Sequence, residues 1–170
     1  MNLYIVRHAD AGDRQAWTGD DADRPLTDLG RRQARALAEA LKRRGPVLDA
    51  IVSSPLVRTR QTAEELIPAA SDGTGLRFSD LLAPDALKPR RLSKYLAGLG
   101  AASAAVVGHD PDLPAYLGWL LGVDPDNVHL EKGGAALVTF DDGPSKGDGR
   151  LAWAVTPEWF MTATPEPTGG

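Results

Sequence analysis

Three short apolar runs, at residues 3–6, 50–52 and 104–107, lack the alternation of apolar and polar side chains that a half-solvated strand shows. Strands of that kind are covered on both faces, as in a parallel sheet enclosed by helical layers. Helical periodicity fills the intervals between them. Leu29, Ala34, Leu37 and Leu41 draw an apolar stripe over Asp28–Arg44, with Thr27 as N-cap and Gly45-Pro46 as the stop. Leu56, Ala63, Leu66 and Ile67 predict a second helix, with Pro55 in its first turn and Pro68 at its end.

Two further amphipathic helices follow from Leu92, Tyr95, Leu96 and Leu99, and from Leu113, Tyr116, Leu117, Leu120 and Leu121. Beyond Gly133-Gly134 the pattern becomes two strands, 135–140 and 151–155, joined by the Gly-, Asp- and Ser-rich segment 141–149, which reads as an antiparallel hairpin. The whole predicts an α/β fold: a three-layer α/β/α sandwich with a mainly parallel central sheet and a C-terminal antiparallel hairpin.

A length of 170 residues suits one domain, expected over 1–160, with 161–170 as a flexible tail. The formal charge of −4 gives no basic footprint for nucleic acid. Without cysteine, any chemistry must use imidazole, carboxylate, hydroxyl or amine groups. No apolar run approaches the ~20 residues of a membrane span, so no membrane association and a cytoplasmic location are expected. The oligomeric state is not legible.

In open α/β sheets, ligands gather beyond the carboxyl ends of the parallel strands. His8 follows the first apolar run beside Arg7, His109 follows the third, and Arg58 comes shortly after the second. These positions lie far apart in sequence, so the topology must bring them together. Two guanidinium forks around an imidazole suit phosphoryl transfer, where positioning and charge neutralisation dominate. A neutral imidazole can attack phosphorus and split one displacement into two easier ones. The adjacent Arg7 and the strand-end setting favour His8 as nucleophile and His109 as donor to the phosphoryl oxygens, although composition alone allows the reverse.

Four segments in order carry a family resemblance: Arg7-His8-Ala9; Leu26-Thr27-Asp28-Leu29-Gly30 leading to Gln33-Ala34; Ser53-Ser54-Pro55-Leu56-Val57-Arg58 leading to Gln61-Thr62-Ala63; and Gly108-His109-Asp110-Pro111. Together they resemble the histidine phosphatase superfamily (phosphoglycerate mutase-like). The segments 23–27 and 131–134 are most similar to its SixA-like phosphohistidine phosphatase branch. The resemblance covers roughly residues 2–140. It implies a phosphohistidine intermediate on His8, a phosphate pocket of Arg7, Arg58 and His109, and no metal or other cofactor. Arg60 competes with Arg58, which is preferred because it stands three residues after the Ser-Pro pair.

Phosphoglycerate mutase-like relatives carry a glutamate proton donor after the third strand, where this chain has Pro84. Alcohol leaving groups need a proton more than the imidazole of a phosphoramidate does, so the departure favours phosphohistidine in a signalling protein as substrate. Asp80, Asp85 and Asp110 remain as substitute general acids. The alternatives are a phosphatase of a small phosphorylated metabolite, acting on a phosphoester with Asp85 or Asp110 as acid, and a non-catalytic phosphate-sensing module. The polar stretch 10–23 is expected to rim the entrance, with Trp17 either packing or touching substrate. His129 reads as a surface residue, Gly133-Gly134 as turn chemistry, and Trp119, Trp153 and Trp159 as packing residues.

Overall fold

The computed structural model describes residues 1–45 and 47–161. Of the expected stop and tail, Pro46 and residues 162–170 lie outside the described residues. Six strands form one sheet: β1 (Asn2–Arg7), β2 (Ala50–Ser53), β3 (Leu76–Phe78), β4 (Ser103–Gly108), β5 (Ala135–Thr139) and β6 (Arg150–Val155). Their order is β3-β2-β4-β1-β5-β6. The first four pair in parallel, while β5 runs antiparallel to β1 and β6 antiparallel to β5. Among the described residues the α-helices are α1 (Asp28–Arg44), α2 (Val57–Leu66), α3 (Pro89–Ala97) and α4 (Asp112–Leu121).

Alternation of side chains across the strands builds two cores. Leu3, Ile5, Val52, Val106 and Val138 face α3 and α4, where Leu92, Leu96, Leu113, Tyr116 and Leu120 are buried against them. Tyr4, Val6, Ile51, Val107 and Leu137 face the opposite way, onto Leu37, Leu41, Ala63 and Leu66 of α1 and α2. This is the expected three-layer sandwich, with the expected antiparallel hairpin.

Several local expectations are corrected. Leu29 is exposed, and the buried apolar stripe of α1 begins at Ala34. Pro55 precedes α2, whose N-cap is Leu56. α2 ends at Leu66, as Pro68 predicts, but the chain continues into a single 3-10 turn over Ile67–Ala69, in which Ile67 is exposed. Leu99 lies past the end of α3 yet still packs on the core. Trp159 is 80% exposed and is no packing residue, whereas Trp119 stacks on Tyr116 and Trp153 meets Tyr4.

The start of α1 is tied to the loop after β1. Thr27 accepts the Gly30 N–H at 3.0 Å, as an N-cap does, and donates to the Asp10 carboxylate at 2.7 Å. Gly30 is required by a close approach: a Cβ there would sit 2.0 Å from the Asp10 carbonyl oxygen. Gly30→Ala is therefore expected to destabilise the fold by about 3 kcal/mol or more, because the atom in the way is backbone. Denaturant unfolding checks it, and a loss below about 1 kcal/mol would contradict the strut.

Candidate active site

Strand register explains why distant residues meet. Arg7 at the end of β1 pairs with Gly108 at the end of β4, and Ser53 at the end of β2 pairs with Val107. The next residue on each strand continues the ladder: the His8 N–H donates to Gly108 O at 3.0 Å, and the Ser54 N–H donates to Val107 O at 3.0 Å. His8, Ser54 and His109 thus leave the same edge of the sheet side by side. The two imidazole rings lie 5.3 Å apart, centroid to centroid, tilted by 59°. Arg58 joins them from the first turn of α2.

These groups line a crevice of about 910 Å³, with Arg7, His8, Arg58, His109, Asp85 and Asp110 all on its walls. Asp10, Gly12, Asp13, Arg14 and Asp21 of the 10–23 stretch line it too, and Trp17 does not: its indole N–H donates to Asp20 O instead. Pro84 stands on the wall, so the expected glutamate position carries no proton there. Asp80 is exposed and away from the crevice. Arg60 pairs with Glu64 on the surface, in contrast to Arg58, which is 4% exposed. His129 pairs with Glu131 on the surface.

Each of these side chains is held by a neighbouring protein group. His8 Nδ1 lies 2.8 Å from its own neighbour's carbonyl, Ala9 O, an acceptor that takes the Nδ1 proton and leaves the Nε2 lone pair free. His109 Nε2 lies 2.9 Å from Ser54 Oγ. Arg7 Nη1 donates to Leu130 O at 2.9 Å, and its Nη2 meets Asp110 at 3.2 Å. Arg58 Nη1 donates to Asp21 O at 2.7 Å, and its Nη2 faces the Asp21 carboxylate at 3.1 Å. The Nε atoms of Arg7 and Arg58 are buried without partners. Leaving such donors unmatched costs roughly 1–3 kcal/mol each, a cost that an anion could relieve.

Sequence reasoning missed four residues of this construction. Asp21 bridges Arg58 and Arg24, and Ser54 orients His109. Thr62 accepts the Ala9 N–H at 3.1 Å while donating to Arg58 O, which links the loop after His8 to α2. Arg24 is buried and lines the crevice. The motif residues Gln33 and Gln61 carried a signal of this kind, since they accept the Asp10 and Leu26 N–H groups and so pin the same loop. Gly133 also serves that loop: at φ +73° it donates its N–H to His8 O, as its turn assignment allows.

Burial dominates the titration of both histidines. It pushes His8 down to about 4, with Arg58, Arg7 and Arg24 adding to the shift and the Ala9 carbonyl opposing it. Burial likewise pushes His109 down to about 3, helped by His8 and Arg58. Both rings are neutral at pH 7. A histidine whose folded value lies below its ordinary 6.5 gains a proton more readily when the chain unfolds. Stability from these groups is therefore complete above about pH 6.5 and declines as pH falls toward 4. The melting temperature should fall across that window, less steeply in His8→Asn; an identical slope in the variant would contradict the buried neutral ring.

For Asp21, burial alone would raise the carboxyl. The hydrogen bond from Arg24 and the charges of Arg58, Arg24 and Arg14 more than offset it, so the group is held below the ordinary carboxylate value. Among the described residues, no group of three or more His, Asp or Glu is placed to hold a metal ion, and no helix is long and apolar enough to cross a membrane.

A mainly parallel α/β sheet brings paired imidazoles and guanidinium groups from its strand ends into one open crevice, whose donors and charge suit a small oxyanion. Comparison with known proteins agrees. A family model for the histidine phosphatase superfamily (branch 1) matches residues 3–79. Phosphohistidine phosphatase SixA of Escherichia coli is 32% identical over 164 residues, covering 92% of this chain and 94% of that protein. An uncharacterized protein of a Picosynechococcus species is 32% identical over 172 residues, covering 95% and 99%. The structure of the protein histidine phosphatase SixA complexed with tungstate superposes with a TM-score of 0.79 at 28% identity, covering 92% of this chain and 97% of that one. The chain belongs to the histidine phosphatase superfamily, in its SixA-like branch, and so to a class of phosphatases.

Proposed function

We propose that this chain is a metal-independent phosphatase that removes phosphoryl groups from phosphohistidine in a protein, through a phosphohistidine intermediate on His8. The observation that carries the reading is the hydrogen bond between His8 Nδ1 and Ala9 O, which fixes the tautomer with Nε2 unprotonated at the mouth of the guanidinium-lined crevice. In the first step the Nε2 lone pair attacks phosphorus, the His8 N–P bond forms, and the P–N bond to the substrate imidazole breaks. That imidazole keeps the electron pair and takes a proton from solvent water in the open crevice, so that it leaves as a neutral ring. In the second step water attacks phosphorus, the His8 N–P bond breaks, and inorganic phosphate leaves.

Arg7, Arg58 and His109 bind the phosphoryl oxygens and offset the charge that spreads over them. In the tautomer that serves this role, Ser54 Oγ donates to His109 Nε2 and the ring proton on Nδ1 is offered to a phosphoryl oxygen. Tungstate, present in the related SixA complex, is a tetrahedral oxyanion of the kind this set of donors suits. Pro84 leaves the substrate position without the strong acid an alkoxide would need, while an imidazole departs with less help. Asp110, held by Arg7, and Asp85, whose N–H donates to Asp112 at 2.7 Å, both line the crevice and are the acids to test if one is used.

The test compares kcat/KM on a phosphohistidine-bearing protein with values for sugar phosphates, nucleotides and phosphoserine. At least ~100-fold preference for the phosphoramidate is expected, from the difference in leaving-group demand. A preference for an ester that is lost in Asp85→Asn or Asp110→Asn would overturn the substrate assignment in favour of a small phosphoester. Tight phosphate binding without turnover on any substrate would instead mean a sensing module.

A further inference from the structure

Arg24 is the crevice arginine to which the mechanism above gives no task. It precedes α1, is 7% exposed, and shares the crevice walls with His8 and Arg58. Its Nη1 donates to Ala11 O at 2.7 Å and to Gly12 O at 3.2 Å, and its Nε donates to Asp21 Oδ1 at 2.9 Å. A guanidinium has five N–H donors, so these bonds use all but the pair on Nη2, which makes no hydrogen bond among the described residues. A side chain held so firmly on one edge, with a free donor pair on the other, is prepared for an acceptor in the crevice.

Asp21 supplies the spacing. One of its carboxylate oxygens takes Arg24, the other faces Arg58 at 3.1 Å, and its own carbonyl takes Arg58 Nη1. Two guanidinium groups that would repel across the crevice are thereby held together by one carboxylate between them. Arg24 is also among the cations that keep the His8 ring neutral, so its charge reaches the proposed nucleophile.

We propose that Arg24 is a third phosphoryl-binding guanidinium, presenting Nη2 to the transferred group, and that Asp21 is the positioning residue that sets its distance from Arg58. This rests on the phosphatase reading for the identity of the anion. The competing role is a strut that only holds the Ala11 and Gly12 carbonyls. Arg24→Gln separates the two, because a glutamine amide can still donate to those carbonyls but offers no charge and no Nη2.

The experiment measures tungstate affinity by titration calorimetry and kcat/KM on the phosphohistidine protein, using the full chain as wild type, Arg24→Gln, Arg24→Lys and Asp21→Asn. Arg24→Gln should bind tungstate at least ~10-fold more weakly and lose ~100-fold in kcat/KM, while Arg24→Lys, which keeps a point charge without the fork, falls between. The acid limb of the pH profile should move upward in Arg24→Gln and stay near its wild-type place in Arg24→Lys, which checks that the Arg24 charge reaches His8; the strut is separated by tungstate affinity, which a strut alone would leave at its wild-type value in both variants. Asp21→Asn should weaken tungstate binding without removing it.

Wild-type tungstate affinity in Arg24→Gln would overturn the assignment. If that variant melts early, Arg24→Lys decides, and wild-type affinity there overturns the need for a fork. A wild-type protein that binds tungstate but turns over no phosphorylated substrate would refute the phosphatase reading and leave the Arg24 assignment to the binding measurement.

Discussion

His8→Ala is expected to lower kcat by roughly 10⁴-fold or more, because loss of the attacking atom removes the covalent route and leaves only the positioning groups. Arg7, Arg58 and His109 remain in place in that variant, since each is held by partners other than the His8 ring: Leu130 and Asp110, Asp21, and Ser54. Tungstate affinity should therefore stay within about tenfold of wild type, as expected when a single neutral group is removed from a charged pocket. Calorimetry and steady-state kinetics separate the two quantities. Turnover at the wild-type rate would transfer the nucleophile's role to another residue, with His109 the first to test, because its ring lies 5.3 Å away.

The second large effect is at Arg58. Its guanidinium is 4% exposed, faces Asp21 with both Nη atoms, and holds a buried Nε without a partner. Arg58→Ala should cost roughly 10³-fold in kcat/KM, the scale of losing one preorganised donor at developing charge. Arg58→Lys should recover only part of it, since an ammonium cannot reproduce a fork aimed at two oxygens. Stability should fall less than the ~3–5 kcal/mol typical of a broken buried ion pair, because Asp21 retains Arg24 at 2.9 Å. A fall in kcat/KM of less than tenfold in Arg58→Ala would remove this residue from the pocket.

The layers were legible because burial on both faces of β1, β2 and β4 leaves apolar runs, and because α1 and α4 carry long amphipathic stripes with recognisable ends. Short β3 was only faintly legible, since it has three residues at the sheet edge, Arg77 and Phe78 exposed and Leu76 alone partly buried, which is too few to carry a periodic signal. Trp159 misled for a simple reason: an aromatic side chain in sequence says nothing about which side of a 3-10 turn it will occupy.

The catalytic candidates were legible because strand ends and motif order point to them. The residues that hold them were not. Asp21 falls in the polar stretch read as the entrance rim and Arg24 in a family segment, but neither position says what it touches, and only the return of that loop onto α2 brings Asp21 against Arg58. Ser54 and Thr62 work through single hydroxyl contacts to residues distant in sequence, His109 and Ala9, and such contacts have no local signature. The acidic residues show the same limit from the other side: Asp80 and Asp85 looked equivalent, and folding sends one to the surface and the other to the crevice wall.

The central claim is chemical: the phosphoryl group passes through His8. Rapid quenching of the enzyme with a phosphohistidine-bearing protein, followed by peptide mass spectrometry at alkaline pH, tests it directly. An acid-labile, base-stable phosphoryl adduct on the peptide carrying His8, absent in His8→Ala, is the predicted result. An adduct on His109 or on another residue, or full turnover with no adduct formed, would contradict it.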